Sequence, residues 1–221
     1  MSTRIVEAYI GEYASGKSEV AVNRALELNS QDRQVNLVDL DIVEPCYTLR
    51  PIKRQLEATG LTVIAWETKD TVGLGEAGNI IKAEARWALY RDGDVILDIG
   101  YGIEGAKTLN LIEGVDQTPE LRMLVVLNTK RPMTSTISEI IEYLRDLGPL
   151  HGIINNTHLG DETTPEIVQE GSRMISEVSS ILGVPVVATT AEEKVAQQLG
   201  DFDCMGHPVR PLKRYMPATF W

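Results

Sequence analysis

The sequence predicts an α/β protein in which helices cover both faces of a mostly parallel β-sheet. Strand-like and helix-like segments alternate from one end of the chain to the other, which is the order typical of such sheets. Several strand segments are continuous apolar runs, such as Met123–Leu127 and Val95–Leu97, and strands buried on both faces have this composition. Right-handed crossovers between parallel strands would place the helices in two outer layers. The expected fold is therefore a three-layer α/β/α sandwich.

Seven segments have the composition of strands and are separated by helix-like segments. They are Ile5–Ile10, Gln34–Asp39, Thr62–Trp66, Val95–Asp98, Met123–Asn128, Gly152–Asn155 and Val184–Ala188. The clearest helix is Pro165–Leu182, in which apolar residues recur at helical spacing. Proline after Thr164 is typical of a helix start, and Gly183 is typical of a helix end.

Residues 11–18 read GEYASGKS and match the phosphate-binding pattern G-x-x-x-x-G-K-S. The match lies between a predicted strand and a predicted helix, Lys17–Leu28, which is the context that this loop requires. Glycines let the backbone turn tightly, so that successive N–H groups face one concavity. The positive end of the following helix points at the same place. The sequence therefore predicts a phosphate-binding loop, or P-loop.

In a loop of this kind the lysine reaches the β- and γ-phosphates, and the hydroxyl residue after it binds Mg²⁺. These residues are Lys17 and Ser18. The alternative is a simple glycine turn in which Ser15 caps the helix and Lys17 is solvated. We predict nucleotide contacts by Gly11, Glu12, Tyr13, Ala14, Ser15, Gly16, Lys17, Ser18 and Glu19.

Carboxylates follow two of the predicted strands, at the sheet edge where ligands bind in open α/β folds. The second strand ends at Asp39, and Asp41 lies two residues further on; we expect one to hold Mg²⁺ through water and the other to orient an attacking water. The alternative is that they cap a turn. Asp98 ends an apolar strand, which is the Walker B arrangement, and Gly100 is a candidate switch residue. We predict catalytic roles for Lys17, Asp39 and Asp41, and metal binding by Ser18, Asp41 and Asp98.

The segments at the ends of the fifth and sixth strands are candidates for recognising the nucleotide base. A guanine-reading N/T-K-x-D motif would need an aspartate where Pro132 stands, so the sequence favours ATP over GTP. Arg131 is either a phosphate or switch contact or a solvated loop residue. Asn155 and Asn156 follow the sixth strand, and an amide offers both the donor and the acceptor that read an adenine edge. A buried asparagine in a turn is the alternative.

Composition excludes some functions. The formal net charge of −11 argues against nucleic-acid binding, which needs a basic surface. No apolar run approaches the roughly 18 residues of a membrane span, and the N-terminus does not resemble a signal peptide. Cys46 and Cys204 lack C-x-x-C spacing, and the three histidines lack metal-ligand spacing. We expect a cytoplasmic protein that neither binds nucleic acid nor spans a membrane.

The predicted organisation is one nucleotide-binding domain over residues 1–200, followed by a tail over residues 201–221. Three prolines exclude a helix in the tail, which we expect to be irregular. Its residues Arg210, Lys213 and Arg214 form a basic patch. The tail either packs on its own domain or contacts a partner or second subunit. The glycine-rich stretch Lys69–Asn79 is a candidate mobile loop.

Taken together, five motifs resemble those of the MinD/ParA/CobQ-type P-loop ATPases of the SIMIBI class, and within them an uncharacterised bacterial ATP-binding group. The motifs are GEYASGKS, VDLDIVEP, ILDIG, LNTKRP and IINNTHL. The resemblance implies a P-loop NTPase fold, Mg²⁺-ATP and often an ATP-bridged homodimer. It matches Asp39 and Asp41 to the family's D-x-D, Asp98 to its Walker B aspartate and Asn156 to its base-contacting asparagine.

The chain departs from this family at Glu12. Members that bridge ATP between two subunits usually carry a lysine at this position, which reaches the partner's phosphates. A carboxylate would instead repel phosphate charge, so trans-activation by this route and the bridged dimer are in question. The absence of a C-x-x-C pair argues against an iron–sulfur scaffold.

The function expected from the sequence is that of a Mg²⁺-dependent ATP-binding protein with slow ATPase activity, whose nucleotide state is read by a protein partner or a second subunit. One alternative is an enzyme of the CobQ or dethiobiotin-synthetase kind that transfers phosphate to a small metabolite, with a second pocket near Lys69–Asn79. Another is a module that binds ATP without hydrolysing it.

Overall fold

The computed structural model describes residues 3–41, 49–66 and 81–216, and eight strands in these residues form one sheet. The strands are β1 Val6–Gly11, β2 Val35–Leu40, β3 Thr62–Ile64, β4 Asp94–Ile99, β5 Leu121–Leu127, β6 Gly152–Asn155, β7 Val186–Glu192 and β8 Val209–Leu212. Their order is β3-β2-β4-β1-β5-β6-β7-β8, and neighbouring strands pair in parallel. Residues 42–45, Cys46 and Lys69–Asn79, singled out above, lie outside the described residues.

Helices cover both faces of the sheet. They are α1 Lys17–Asn29, α2 Lys53–Glu57, α3 Gly102–Ala106, α4 Ile137–Leu147, α5 Pro165–Leu182 and α6 Glu193–Leu199, together with short 3₁₀ segments of which Ala83–Tyr90 is the longest. The predicted helix over 165–182 is confirmed at both ends. It stops at Gly183, whose φ of 69° is a conformation that favours glycine.

Two apolar cores lie on opposite faces of the sheet. On one face, residues such as Leu37 and Ile96 pack against α1 and α2. On the other, Val38 and Leu97 belong to a cluster that includes residues of the 3₁₀ segment Ala83–Tyr90, of α4 and of α5. Successive strand residues point to opposite faces, so strands with both faces covered are apolar throughout. The predicted three-layer sandwich with a parallel sheet is therefore confirmed.

Two predictions about strands were wrong in detail. β7 runs beyond Ala188 to Glu192, because the hydroxyls of Thr189 and Thr190 find buried acceptors that permit polar residues in a covered strand. The tail is not irregular throughout, since β8 adds a strand beside β7. Proline excludes a helix but is tolerated in an edge strand, and Pro211 lies in the strand at the edge of the described sheet.

In the residues that the structure describes, no helix is both long enough and apolar enough to cross a membrane.

Candidate nucleotide-binding site

The P-loop connects β1 to α1 as the motif predicts. Gly16 precedes the helix with φ of 84°, and a Cβ on Gly11 would lie 2.6 Å from the carbonyl oxygen of Val126. Both positions therefore require glycine. No side chain caps the start of α1, so the alternative of a cap by Ser15 is not supported. The first N–H groups of the helix are left for an anion, which is what a phosphate site needs.

Three carboxylates meet the P-loop lysine at the carboxyl edge of the sheet. Asp39 on β2 and Asp98 on β4 are register partners, so they lie side by side. Lys17 Nζ donates to Asp41 Oδ2 at 3.0 Å, and the backbone N–H of Asp41 donates to Asp39 Oδ1 at 3.0 Å. All four side chains are buried. The structure thus brings together the residues for which we predict catalytic and metal-binding roles.

This crowding shifts the pKa of three groups. Burial, with repulsion from Asp98 and Asp41, raises the pKa of Asp39 to about 8, although Arg50 opposes the shift. Burial also raises the pKa of Asp98 to about 6, against the attraction of Lys17. For Lys17, burial alone would lower the pKa, but the neighbouring carboxylates outweigh it and the pKa is raised. Burial therefore disfavours the ionised forms of Asp39 and Asp98 in the nucleotide-free protein.

The donor set fits Mg²⁺ bound partly through water. Neither carboxylate oxygen of the buried Asp98 has a hydrogen bond of normal geometry within the described residues, and the Ser18 hydroxyl lies close enough to lower its pKa. Carboxylate, hydroxyl and water oxygens are ligands that Mg²⁺ accepts. In the described part of the chain no three His, Cys, Asp or Glu side chains are placed to hold a metal alone. Nucleotide phosphates would have to complete the coordination.

Asn155 and Asn156 point to different places. The Asn155 amide donates to the Ser172 hydroxyl at 2.9 Å, which ties β6 to α5. Asn156 lies against the P-loop instead. Its Nδ2 donates to the carbonyl of Ser15 at 2.7 Å, and its Oδ1 accepts from the Thr190 hydroxyl at 2.8 Å. A direct contact between Asn156 and a base stays a prediction.

Two further side chains lie beside the P-loop. Arg131 Nε donates to the carbonyl of Ala14 at 3.2 Å, so this arginine contacts the loop backbone. His158 has a pKa lowered to about 4, by burial and by the charges of Arg131 and Arg214. It is therefore neutral at neutral pH.

Glu19 contacts the tail. Its carboxylate accepts the backbone N–H of Tyr215 at 2.9 Å and that of Met216 at 2.8 Å. Asn23, one turn further along α1, exchanges two hydrogen bonds with the backbone of Lys213. The role of Glu19 as a nucleotide contact stays a prediction.

Two of the three residues of the basic patch in the tail, Lys213 and Arg214, form ion pairs within the chain. Arg214 contacts Glu192 at the end of β7 and Asp161 in the loop after β6, and Lys213 lies 3.5 Å from Glu193. The described part of the tail therefore packs on its own domain.

Glu12 is half-buried and forms no ion pair with the residues that the structure describes. A Cβ on Gly102 would lie 3.6 Å from its carboxylate, and its charge, after burial, helps to raise the pKa of Tyr143. The carboxylate thus faces α3 and α4. The neighbouring Tyr13 packs edge to face on Tyr101, with ring centroids 5.7 Å apart.

The sequence analysis missed two residues of the site, Arg50 and Thr190. Arg50 is buried beside Asp39 and Thr190 braces Asn156. No sequence signal marks either of them, because each gains its role from a contact with another strand or loop.

No family model matches the sequence, and no curated protein matches it significantly. Solved structures do. The cell division protein FtsY of Thermotoga maritima is 18% identical over 88% of this chain and 64% of that protein, with a TM-score of 0.58. The signal recognition particle receptor FtsY of Elizabethkingia anophelis in complex with GDP is 14% identical over 88% and 59%, with a TM-score of 0.56.

The signal recognition particle 54 kDa protein of Aeropyrum pernix, also in complex with GDP, is 17% identical over 84% of this chain and 41% of that protein, with a TM-score of 0.53. The chain spans less than two thirds of the length of each of these proteins. At such identities the likeness concerns the fold. With the loop geometry above, it defines a P-loop NTPase fold, as the sequence predicts.

Proposed function

We propose that the protein binds a nucleoside triphosphate with Mg²⁺, prefers ATP, hydrolyses it slowly and presents its nucleotide state to a partner. The observation that carries the proposal is the uncapped start of α1 beside Lys17 and three buried carboxylates. An open helix N-terminus with a lysine binds phosphate, and the carboxylates and Ser18 suit a hydrated Mg²⁺. Bound Mg²⁺ would neutralise phosphate charge and orient the triphosphate.

The charge balance supports a requirement for Mg²⁺. The Asp41 and Asp98 carboxylates already lie beside Lys17, and a triphosphate brings further negative charge to the same buried place. Repulsion between like charges is strong where water is excluded. Mg²⁺ held by Asp98 and Ser18 would offset this repulsion, so binding without Mg²⁺ should be weak.

The loop after β5 supports ATP over GTP. Pro132 stands where guanine recognition needs a carboxylate, and Lys130 pairs with Glu170 at 2.8 Å. The Asn128 side chain is engaged as well, since its oxygen accepts the backbone N–H groups of Lys130 and His158. Two of the similar structures are complexes with GDP, so the preference for ATP rests on this loop and on the resemblance to the MinD/ParA/CobQ-type ATPases.

The state of the candidate water-orienting groups supports slow hydrolysis. With a pKa of about 8, Asp39 is largely protonated at neutral pH in the nucleotide-free protein and accepts protons poorly. Asp41 is paired with Lys17. The carboxylate of Glu12 cannot stabilise the negative charge that develops on the phosphate during hydrolysis. A partner that supplied a cation or displaced Lys17 from Asp41 would accelerate the reaction.

The segment after Asp98 supports a nucleotide-dependent conformation. Gly100 follows β4 directly, and a Cβ on Gly105 of α3 would lie 2.1 Å from the Gly100 carbonyl. The two backbones are therefore in close contact, so a shift of Gly100 toward a γ-phosphate would move α3. Switch segments in nucleotide-binding proteins work in this way.

Calorimetric titration with Mg²⁺-ATP, Mg²⁺-GTP and ATP in EDTA tests the proposal. We expect tight binding of Mg²⁺-ATP, weaker binding of Mg²⁺-GTP and a large loss in EDTA. Binding of neither nucleotide contradicts the proposal, and selective binding of GTP contradicts the base preference. Phosphate release over hours, with and without a cell extract depleted of its own ATPases, separates slow hydrolysis from binding alone.

A further inference from the structure

Two consecutive carbonyl groups of the P-loop are held from outside by side chains. The Ser15 carbonyl accepts a hydrogen bond from Asn156 Nδ2 at 2.7 Å, and the Ala14 carbonyl accepts one from Arg131 Nε at 3.2 Å. Asn156 is buried, whereas Arg131 is partly exposed. The shorter and more buried of the two contacts therefore comes from Asn156.

Holding the Ser15 carbonyl fixes the direction of the next N–H group. The peptide unit is planar and trans, so its C=O and N–H point in opposite directions. The N–H that belongs to the Ser15 carbonyl is that of Gly16. With the carbonyl turned toward Asn156, the Gly16 N–H points to the other side of the loop. A phosphate-binding loop acts through N–H groups directed in this manner.

The Asn156 side chain is itself held in place. Its Oδ1 accepts the Thr190 hydroxyl at 2.8 Å, which also fixes which end of the amide faces Ser15. A Cβ on Gly16 would lie 2.2 Å from Asn156 Nδ2. Glycine at this position therefore lets the amide approach the loop, in addition to allowing a φ of 84°.

We propose that Asn156, braced by Thr190, is a positioning residue that orients the Gly16 N–H toward the phosphates, and that this role does not depend on the base. The inference rests on the proposed nucleotide binding. It differs from the role that family resemblance implies for Asn156, which is contact with the base. The two roles predict different ligand profiles, because an inorganic polyphosphate has phosphates but no base.

The test compares three ligands, Mg²⁺-ATP, Mg²⁺-GTP and Mg²⁺-tripolyphosphate, on Thr190→Val and Asn156→Ala. We expect Thr190→Val to weaken all three by the same factor, about three- to tenfold, since the lost hydrogen bond supports a backbone contact common to them. Asn156→Ala should weaken all three about tenfold or more. Thr190→Ser keeps the hydroxyl and should bind like the wild type.

Thr189→Val is the matched control. Thr189 neighbours Thr190 on β7, is equally buried and donates its hydroxyl to Asp203 Oδ2 at 2.6 Å. Thr189→Val removes the contacts of that hydroxyl with Asp203, Asn155 and Ser172. Thr190→Val removes those with the Asn156 side chain and the Asn155 carbonyl. Both variants lose buried hydrogen bonds, so both should lower the thermal midpoint. Only Thr190→Val should lower the affinities. The amide signal of Gly16 in ¹⁵N-labelled protein should move on addition of tripolyphosphate in the wild type and in Thr189→Val, and move less in Thr190→Val.

Other results overturn the inference. A change in the ratio of ATP to GTP affinity with unchanged binding of tripolyphosphate would make Asn156 a base contact. If Thr189→Val and Thr190→Val bind the ligands equally well, the contact between Thr190 and Asn156 supports only the stability of the fold. If the wild type binds none of the three ligands, the proposed function itself fails, and this is visible before any variant is made.

Discussion

The two ends of the candidate site are built differently. The phosphate end, called the charged end below, consists of the buried side chains of Lys17, Asp39, Asp41 and Asp98. Asp98 has no hydrogen bond of normal geometry within the described residues. The end beyond it, around Asn156, consists of neutral amides and hydroxyls that hydrogen-bond to one another and to the P-loop. Buried polar networks rigidify a structure when every member is satisfied and weaken it when members are not.

This difference indicates that the two ends of the site have different roles. The end around Asn156, called the neutral end, has these hydrogen bonds in the absence of a ligand. It can therefore hold the P-loop in the conformation that binds phosphate. At the charged end the buried carboxylate of Asp98 has no hydrogen bond of normal geometry within the described residues, which reduces the stability of the protein. The proposed Mg²⁺ and phosphates would supply the missing partners. Groups that lower the stability of the free protein in this way are often located at functional sites. Variants at the charged end should therefore change both binding and stability, in opposite directions for some residues.

The largest effect is expected for Lys17→Ala. Loss of the charge that faces the phosphates should weaken binding of Mg²⁺-ATP and Mg²⁺-GTP alike by about 100-fold. Lys53→Ala is the matched control, because Lys53 is also buried but donates to the carbonyl of Ala65 at 3.2 Å, away from the P-loop. Calorimetry on both variants checks the expectation. Normal binding by Lys17→Ala would contradict the assignment of the phosphate end.

The next effect concerns the metal. Asp98→Asn keeps the shape of the side chain and removes its charge, so the gain in ATP affinity on adding Mg²⁺ should fall about tenfold. Asp94→Asn controls for position, since Asp94 lies at the other end of the same strand and pairs with Arg33. Titrations at several Mg²⁺ concentrations measure the gain. An unchanged Mg²⁺ dependence in Asp98→Asn would remove Asp98 from the metal site.

Asp39→Asn should alter how stability depends on pH. The folded-state pKa of about 8 lies above the ordinary value of 3.8, so between these values the folded protein holds a proton that the unfolded chain has lost. The free energy of unfolding of the wild type in EDTA therefore falls as pH rises from 6 to 8, by roughly 1 kcal/mol per pH unit from this group. About half of the Asp39 carboxyls are still protonated at pH 8, so the fall is complete about one pH unit higher.

The variant lacks this group, so its unfolding free energy should fall less over the same range and exceed that of the wild type at pH 8. Denaturant unfolding at pH 6, 7 and 8 measures both chains. Parallel curves for wild type and variant would mean that Asp39 is ionised throughout, and the account of the charged end as destabilised would be wrong.

The fold and the charged end could be predicted from the sequence because their signals are local. Gly11–Ser18 form a contiguous motif, and Asp39 and Asp98 each end an apolar strand. Parallel strands bring their carboxyl ends to one edge, so the order of strands and carboxylates along the chain suffices to place them together.

The neutral end could not be predicted because its contacts are distant in sequence. Thr190 braces Asn156 across 34 residues, and Asn156 reaches Ser15 across 141. A threonine in a strand has a high β-propensity in any case, so nothing in its type marks the contact. β8 was missed for a related reason, since its proline is compatible only with an edge position that the sequence does not reveal.

The smallest expected effect lies where α1 contacts the tail, and it tests whether Glu19 contacts the nucleotide as well as the tail. Asn23→Ala removes both hydrogen bonds to the Lys213 backbone and should cost about 1 kcal/mol of stability. Hydrogen exchange should then quicken at residues 213–216, with ATP affinity nearly unchanged. Glu19→Ala should free two other backbone groups of the tail, the N–H groups of Tyr215 and Met216. If Glu19→Ala lowers ATP affinity while Asn23→Ala does not, Glu19 contacts the nucleotide as the sequence predicts. If both variants free the tail and neither alters affinity, the carboxylate beside Ser18 holds only the tail, and the charged end stops at Ser18.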